Sequence, residues 1–223
     1  EILTKSKCEV LMTDVYSGYG KAIRIANEER QKAGLSLIVP AHCNAHARRN
    51  FFKMWPKYKE AEFYLDHYHE IYQLSSESKG KDPPEILRLR EQMRPRFEAM
   101  KARALEELAS YSLKGKYAKA LKYFLKNYAT LTYFLTDTRV TLDNNAQERN
   151  LRSHVVGRKT WYGTHSPQGA ITAAILFTII ETCKLNAVNP REYIQNLVQD
   201  MLHGVKPYTP NEYQARQQAK SIN

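Results

Sequence analysis

Hydrophobic periodicity divides the chain. Near the N-terminus the apolar residues come in short runs, Cys8–Thr13 (CEVLMT) and Leu35–Val39 (LSLIV, closed by Pro40). Runs of that length bounded by polar residues predict buried strands. Between them, Ala22, Ile23, Ile25 and Ala26 fall among charges over residues 20–33, which suits an amphipathic helix stopped by Gly34. Strand, helix, strand at this length predicts a βαβ unit, parallel and with a right-handed crossover.

From about residue 60 the period becomes helical. Phe63, Tyr64, Tyr68, Ile71 and Tyr72 make one stripe. A second, opened by Pro83 and Pro84 and bent at Pro95, carries Leu89, Met93, Phe97, Met100 and Ala104. A third follows Gly115 with Tyr117, Leu121, Phe124, Tyr128 and Leu131. Three helices joined by short loops predict a small bundle whose aromatics are core rather than base-stacking groups. Further on, Asp143 to Asn145 can cap a helix beginning near Ala146. Gly169–Leu185 reads as a helix apolar on most faces, and so buried. Pro190 opens a last helix reaching Leu202, and the polar tail after it is expected to be poorly ordered. The predicted class is α/β, predominantly helical, in parts 1–59, 60–135, 136–203 and 204–223.

Charge narrows the partners. Lys and Arg number 34 against 23 Asp and Glu, a net charge of +11. The excess is concentrated. Lys114, Lys116, Lys119, Lys122 and Lys126 lie in an acid-free stretch between Glu107 and Asp137, and no acid follows Glu148 until Glu181. Two basic blocks favour a polyanion, above all nucleic acid, over charge kept for solubility. The three cysteines, Cys8, Cys43 and Cys183, are too few and too scattered for a disulfide framework. A reducing, cytoplasmic setting is expected. The start of the chain carries no signal-peptide pattern and no initiator Met, as in a piece of a longer protein. The longest apolar run, Ala170 to Ile180, falls short of the roughly 20 residues a bilayer needs, so no membrane partner is expected.

Candidate chemistry gathers at a few positions. Asp14 ends the first predicted strand, where open α/β sheets place ligand-binding groups, though an Asp there also caps turns. Glu148 falls in the first turn of its helix among Arg149, Arg152, Arg158 and Lys159. Taken locally, it would do no more than pair with Arg152, worth about 0.2–0.5 kcal/mol. His42, Cys43 and His46 lie close enough to raise a metal site. A structural zinc site wants four ligands, however, and packing of Cys43 with His46 orienting a neighbour suits the pattern better.

The blocks TDVYSGY, CNAHARRNF, LDNNAQERNLR, VGRKTWYG and AAILFTIIETCKLNAVNPREYI run in order from about Val10 to Leu202. Together they resemble the C-terminal half of bacterial transposases of the insertion sequence sixty-six family. The resemblance implies a ribonuclease-H-like core of the DDE type, interrupted by a helical insertion over 60–135. It makes Asp14 the second carboxylate and Glu148 the third, holding two Mg2+ (or Mn2+) ions in the complete site. Arg149, Arg152, Arg158 and Lys159 would then contact DNA, and Cys43 and His46 would form a structural Cys-x-x-His element. The implied partners are transposon ends, target DNA and further copies or other element-encoded proteins, in a bacterial, nucleoid-associated setting. The first Asp of such a site is expected upstream of Asp14, since none of the thirteen residues before it is an Asp. This piece alone is therefore expected not to cut DNA. Two other readings stay open: a non-catalytic DNA-binding remnant of a transposase, and a basic helical scaffold that meets RNA or acidic proteins.

Overall fold

The computed structural model of the chain describes residues 2–110 and 114–221. Its elements run α1 (Ile2–Lys5), β1 (Val10–Thr13), α2 (Ser17–Lys32), β2 (Val39–His42), α3 (Asn44–Met54), α4 (Ala61–Glu77) and α5 (Pro83–Ser110). After these come α6 (Lys116–Lys126), α7 (Tyr128–Thr132), a 3-10 turn (Tyr133–Leu135), α8 (Asn145–Thr160), α9 (Pro167–Leu185), α10 (Pro190–Leu202) and α11 (Pro210–Ser221). They fall into two compact units, Glu1–Ala146 and Gln147–Asn223. The protein is mostly helical, with one two-stranded parallel sheet among the described residues.

In the first unit β1 and β2 pair from Val10 opposite Val39 to Thr13 opposite His42. The second strand lies later than its apolar run predicts. Leu35 and Leu37 are exposed, and the strand begins at Val39 and passes through Pro40. Pro40 is tolerated because the amides of Val39 and Cys43 reach β1, at the carbonyls of Glu9 and Thr13. Alternate residues of a strand direct their amides to opposite sides, so position 40 owes β1 no N–H. The LSLI segment is instead tied as a loop by the buried Arg30, whose guanidinium donates to the carbonyls of Ser36, Leu3 and Ser6.

Helices α3 to α7 and β2 share one buried cluster that includes Ala41, Phe51, Tyr64, Phe97 and Phe124. Phe51 of α3 stacks on Tyr64 of α4 at 4.3 Å between ring centres and meets Phe124 of α6 edge-on. The aromatics of the helical stretch are thus core, as their spacing predicts. α5 continues through Pro95 as one helix.

The second unit departs from expectation twice. α9 is not buried: Ile171, Ile175 and Leu176 are each about half exposed, and Cys183 is its one buried residue. The neighbours that cover it, α10 and α11, form a small cluster with Cys183 and Ile179 near its end and leave its first turns open. Among the described residues α9 is also the helix long and apolar enough to cross a membrane, by length and composition alone. The apolar run counted from the sequence missed the turns that flank it. The second departure is the tail, which forms α11. Tyr208 and Tyr213 are buried with Tyr193, whose hydroxyl donates to the carbonyl of Tyr208 at 2.6 Å. Arg216 lies over the Tyr208 ring.

One polar contact holds the end of the first unit. Arg90 of α5 is 7% exposed and donates to the carbonyls of Phe134, Asp137 and Val140. Replacing it with Ala takes those donors away from largely buried acceptors. Urea unfolding should then show a loss of about 2–4 kcal/mol, and Arg90→Lys should recover only part of it because a single ammonium nitrogen does not reproduce the spread between the two guanidinium nitrogens that reach these carbonyls. A change within the noise for Arg90→Ala would mean that the 134–140 segment holds itself.

Candidate functional site

Two sets of residues carry the chemistry, one in each unit. In the first, the parallel register brings the strands to an end side by side. Thr13 pairs with His42, and the amide of Cys43 donates to the carbonyl of Thr13 at 3.0 Å. Asp14 leaves β1 at this carboxyl end, half-buried, and one of its carboxylate oxygens accepts the amide of Tyr16 at 3.1 Å. That bond sets the turn into α2, whose N-cap Tyr16 has no side-chain cap of its own. His42 Nδ1 lies 2.7 Å from Thr130 Oγ1. Burial lowers the pKa of His42, and the negative charge of Asp14 works against that lowering. Asp14 therefore shares the strand-end environment with His42.

Cys43 and His46 open α3. Cys43 is fully buried at the N-cap. Burial pushes its thiol up, against the pull of backbone amides at Asn144, His46 and Ala45 that would favour a thiolate. Fully buried in this position, Cys43 packs at the start of α3. Asp143 is likewise committed. Its carboxylate accepts the Tyr72 hydroxyl at 3.0 Å and both the amide and side chain of Asn145, at 3.0 and 2.8 Å. The capping role follows from the sequence. The Tyr72 partner, seventy-one positions away, does not.

In the second unit α8 bears the other candidates. Glu148 lies in its first turn, and Arg158 and Lys159 in its last, the ends at which the helix dipole favours those charges. At about 100° per residue, Glu148, Arg152 and Lys159 fall within about 40° of one another around the axis, with Arg149 and Arg158 flanking them. No residue of α8 is buried. The helix is held through His154 and Trp161, whose rings meet Phe177 of α9 at 4.0 and 6.1 Å. Gly157 leaves room for this packing, since a Cβ would come within 2.4 Å of the Trp161 ring and oblige it to shift.

Carboxylate oxygens are the donors that magnesium and manganese prefer, so Asp14 and Glu148 fit such an ion in kind. They do not make a full set: among the described residues, no three His, Cys, Asp or Glu side chains are grouped to hold a metal. One further group went unread in the sequence. Arg48, Arg49 and Phe52 line a pocket on the outer side of α3 with Tyr72 and Asn145. The signal lay in their helical spacing, on a flank apart from the apolar Ala47 and Phe51.

The profile of the Transposase IS66 family matches residues 1–172. Among curated proteins, the uncharacterized protein y4hP of Sinorhizobium fredii (strain NBRC 101917 / NGR234) is 31% identical over 204 residues, covering 85% of this chain and 36% of its own length. The uncharacterized protein y4qI of the same organism is 30% identical over 198 residues, with 87% and 36% covered. The chain thus spans about a third of the length of these relatives. No solved structure matches it.

The strand-end geometry predicts a titration. His42 should titrate below the usual 6.5 in an NMR pH series, and Asp14→Asn should lower its midpoint further by removing the opposing charge. A folded value below the unfolded one means that the unfolded chain binds the extra proton. Stability from this group is therefore intact above about pH 6.5 and is lost as pH falls through that value towards the folded pKa. An unmoved midpoint in Asp14→Asn would separate the two residues.

Proposed function

The chain belongs to the IS66 family of DDE transposases, and from that premise we propose that it carries the C-terminal part of the catalytic region of a DNA transposase. In this reading β1, α2 and β2 are part of a ribonuclease-H-like core, residues 60–135 are its helical insertion, and residues 136–203 complete it. Asp14 is the second carboxylate and Glu148 the third. The observation that carries the assignment is the location of the two acids. One stands at the carboxyl end of a parallel strand, and the other opens an exposed helix rich in cations.

In the complete protein the reaction is cleavage of a phosphodiester by water to free a 3′ hydroxyl, followed by attack of that hydroxyl on target DNA. Two divalent ions, when bound, would supply charge stabilisation to the attacking and leaving oxygens. Asp14 and Glu148 contribute oxygen ligands to that site. Arg149 and Arg152 contact phosphates beside the acids, and Arg158 and Lys159 continue the track along α8. Fixing the DNA in register is the work of these cations, while sequence is read elsewhere in the protein. A second reading, a DNA-binding part that does not itself cut, needs only the exposed cations of α8.

Substitution in the full-length transposase separates the two. Glu148→Gln should reduce strand cleavage to background while leaving DNA binding intact, or slightly tighter without magnesium because a negative charge near phosphates is gone. Arg152→Ala and Arg158→Ala should weaken binding to any sequence and flatten the salt dependence by roughly one unit per lost contact. Parental cleavage and joining by Glu148→Gln would return Glu148 to the role of a surface partner for Arg152.

A further inference from the structure

The outer face of α3 builds a pocket that neither acid uses. Asn44, Ala47 and Phe51 face the core, so helical periodicity places Ala45, Arg48, Arg49 and Phe52 together along one flank of the helix. With His69, Tyr72 and Asn145 they line an open cavity of about 400 Å³, within the roughly 300–1,000 Å³ range of small-molecule sites. Phe51 is fully buried, whereas the next residue, Phe52, leaves 54% of its surface to solvent. A large ring open to solvent beside two guanidiniums offers a stacking face next to positive charge. The lining holds two guanidiniums and no carboxylate, while Asp143, which accepts from Tyr72 and Asn145, stays a single charge beside them. Asn145 adds an amide able to bond the edge of a base.

We propose that this pocket binds an unpaired nucleotide of a DNA strand, with the base against Phe52 and its phosphate on Arg48 and Arg49. An aromatic platform within a basic groove is how proteins hold single strands, because every base has a face to stack and every nucleotide a phosphate. A second cavity, of about 270 Å³, lies on another flank of the same helix. Asn50 and Lys53 line it with Lys116, Lys119 and Tyr123, so cations flank α3 on both sides and suit a polymer better than a free nucleotide. The choice of DNA rests on the transposase reading above. The pocket itself depends on neither Asp14 nor Glu148.

The test uses the 223-residue chain and fluorescence anisotropy with a labelled DNA single strand of roughly 12 nucleotides, a duplex of the same sequence, and a strand carrying 2-aminopurine. Phe52→Ala should weaken single-strand binding about 5- to 100-fold, abolish 2-aminopurine quenching, and leave duplex binding within about twofold, since phosphate contacts dominate there. Phe52→Leu, which keeps apolar bulk without a planar ring, should show the same loss with an unchanged melting temperature. The double change of Arg48→Ala with Arg49→Ala should flatten the salt slope by roughly two units. A strand with abasic positions should bind the parent chain as weakly as the intact strand binds Phe52→Ala, a comparison that needs no variant to fold. The proposal is overturned if Phe52→Ala and the abasic strand both bind like their parents, and equally if RNA binds through Phe52 more tightly than DNA. Salt-sensitive duplex binding with a single strand indifferent to Phe52 removes the pocket and leaves the transposase reading standing. Phe52-dependent single-strand binding without duplex binding does the reverse.

Discussion

The carboxamide of Asn44 is the constraint on which the first unit depends. The side chain is fully buried, and its nitrogen donates to the carbonyls of Leu131 and Leu142 at 2.9 and 3.1 Å. Its oxygen accepts the Tyr68 hydroxyl at 3.3 Å, and its backbone amide also reaches Leu142. One residue, placed just after β2, thus joins the sheet end to α4, to α7 and to the segment entering α8. An amide suits this post because it offers two donors and an acceptor without charge. A carboxylate there would face two carbonyl oxygens, and a leucine would strip them of partners.

Buried guanidiniums extend the same principle. Arg30 gathers three carbonyls from α1 and the loops around β1 and β2, and Arg90 gathers three from the 3-10 turn and the segment that follows it. Loops need their backbone groups satisfied as much as helices do, and in this fold long side chains from neighbouring helices do it. The cations therefore serve different ends: a few are fastened into the unit, others such as Arg96 and Arg139 pair with surface acids, and those on α3, α6 and α8 stand where a polyanion could meet them. The net charge of +11 understates how sharply these roles separate.

Local periodicity made much of this legible. The stripes of Tyr64, Tyr68, Met93, Phe97, Leu121 and Phe124 all enter the core, and Asp143 caps where its spacing places it. What stayed hidden depended on distant or partial cover. LSLI has strand composition, yet Arg30, six positions earlier, ties the carbonyl of Ser36 as a loop, a side-chain reach that hydrophobic periodicity does not report. α9 is apolar enough to be buried, yet burial needs neighbours, and only its last turns have them. The tail reads as polar because its tyrosines are few, although three rings suffice to anchor α11. Asp14 and Glu148 were legible as acids in the right local settings, His42 as a companion of Asp14 was not, and Phe52 passed unread beside its buried neighbour.

Pro40 decides how the sheet can grow. With the amides of Val39 and Cys43 committed to β1, the amides available on the outer side of β2 belong to positions 40 and 42, and Pro40 has none to give. An incoming strand would find that flank half-blank. The outer flank of β1 has no such gap, since the residues whose amides alternate to that side, Val10 and Met12, both carry backbone donors. Any added strand is therefore directed to one side only, next to the strand that ends in Asp14. A proline that looks from the sequence like a terminator thus acts as a gatekeeper, giving a two-sided ribbon a single growing edge.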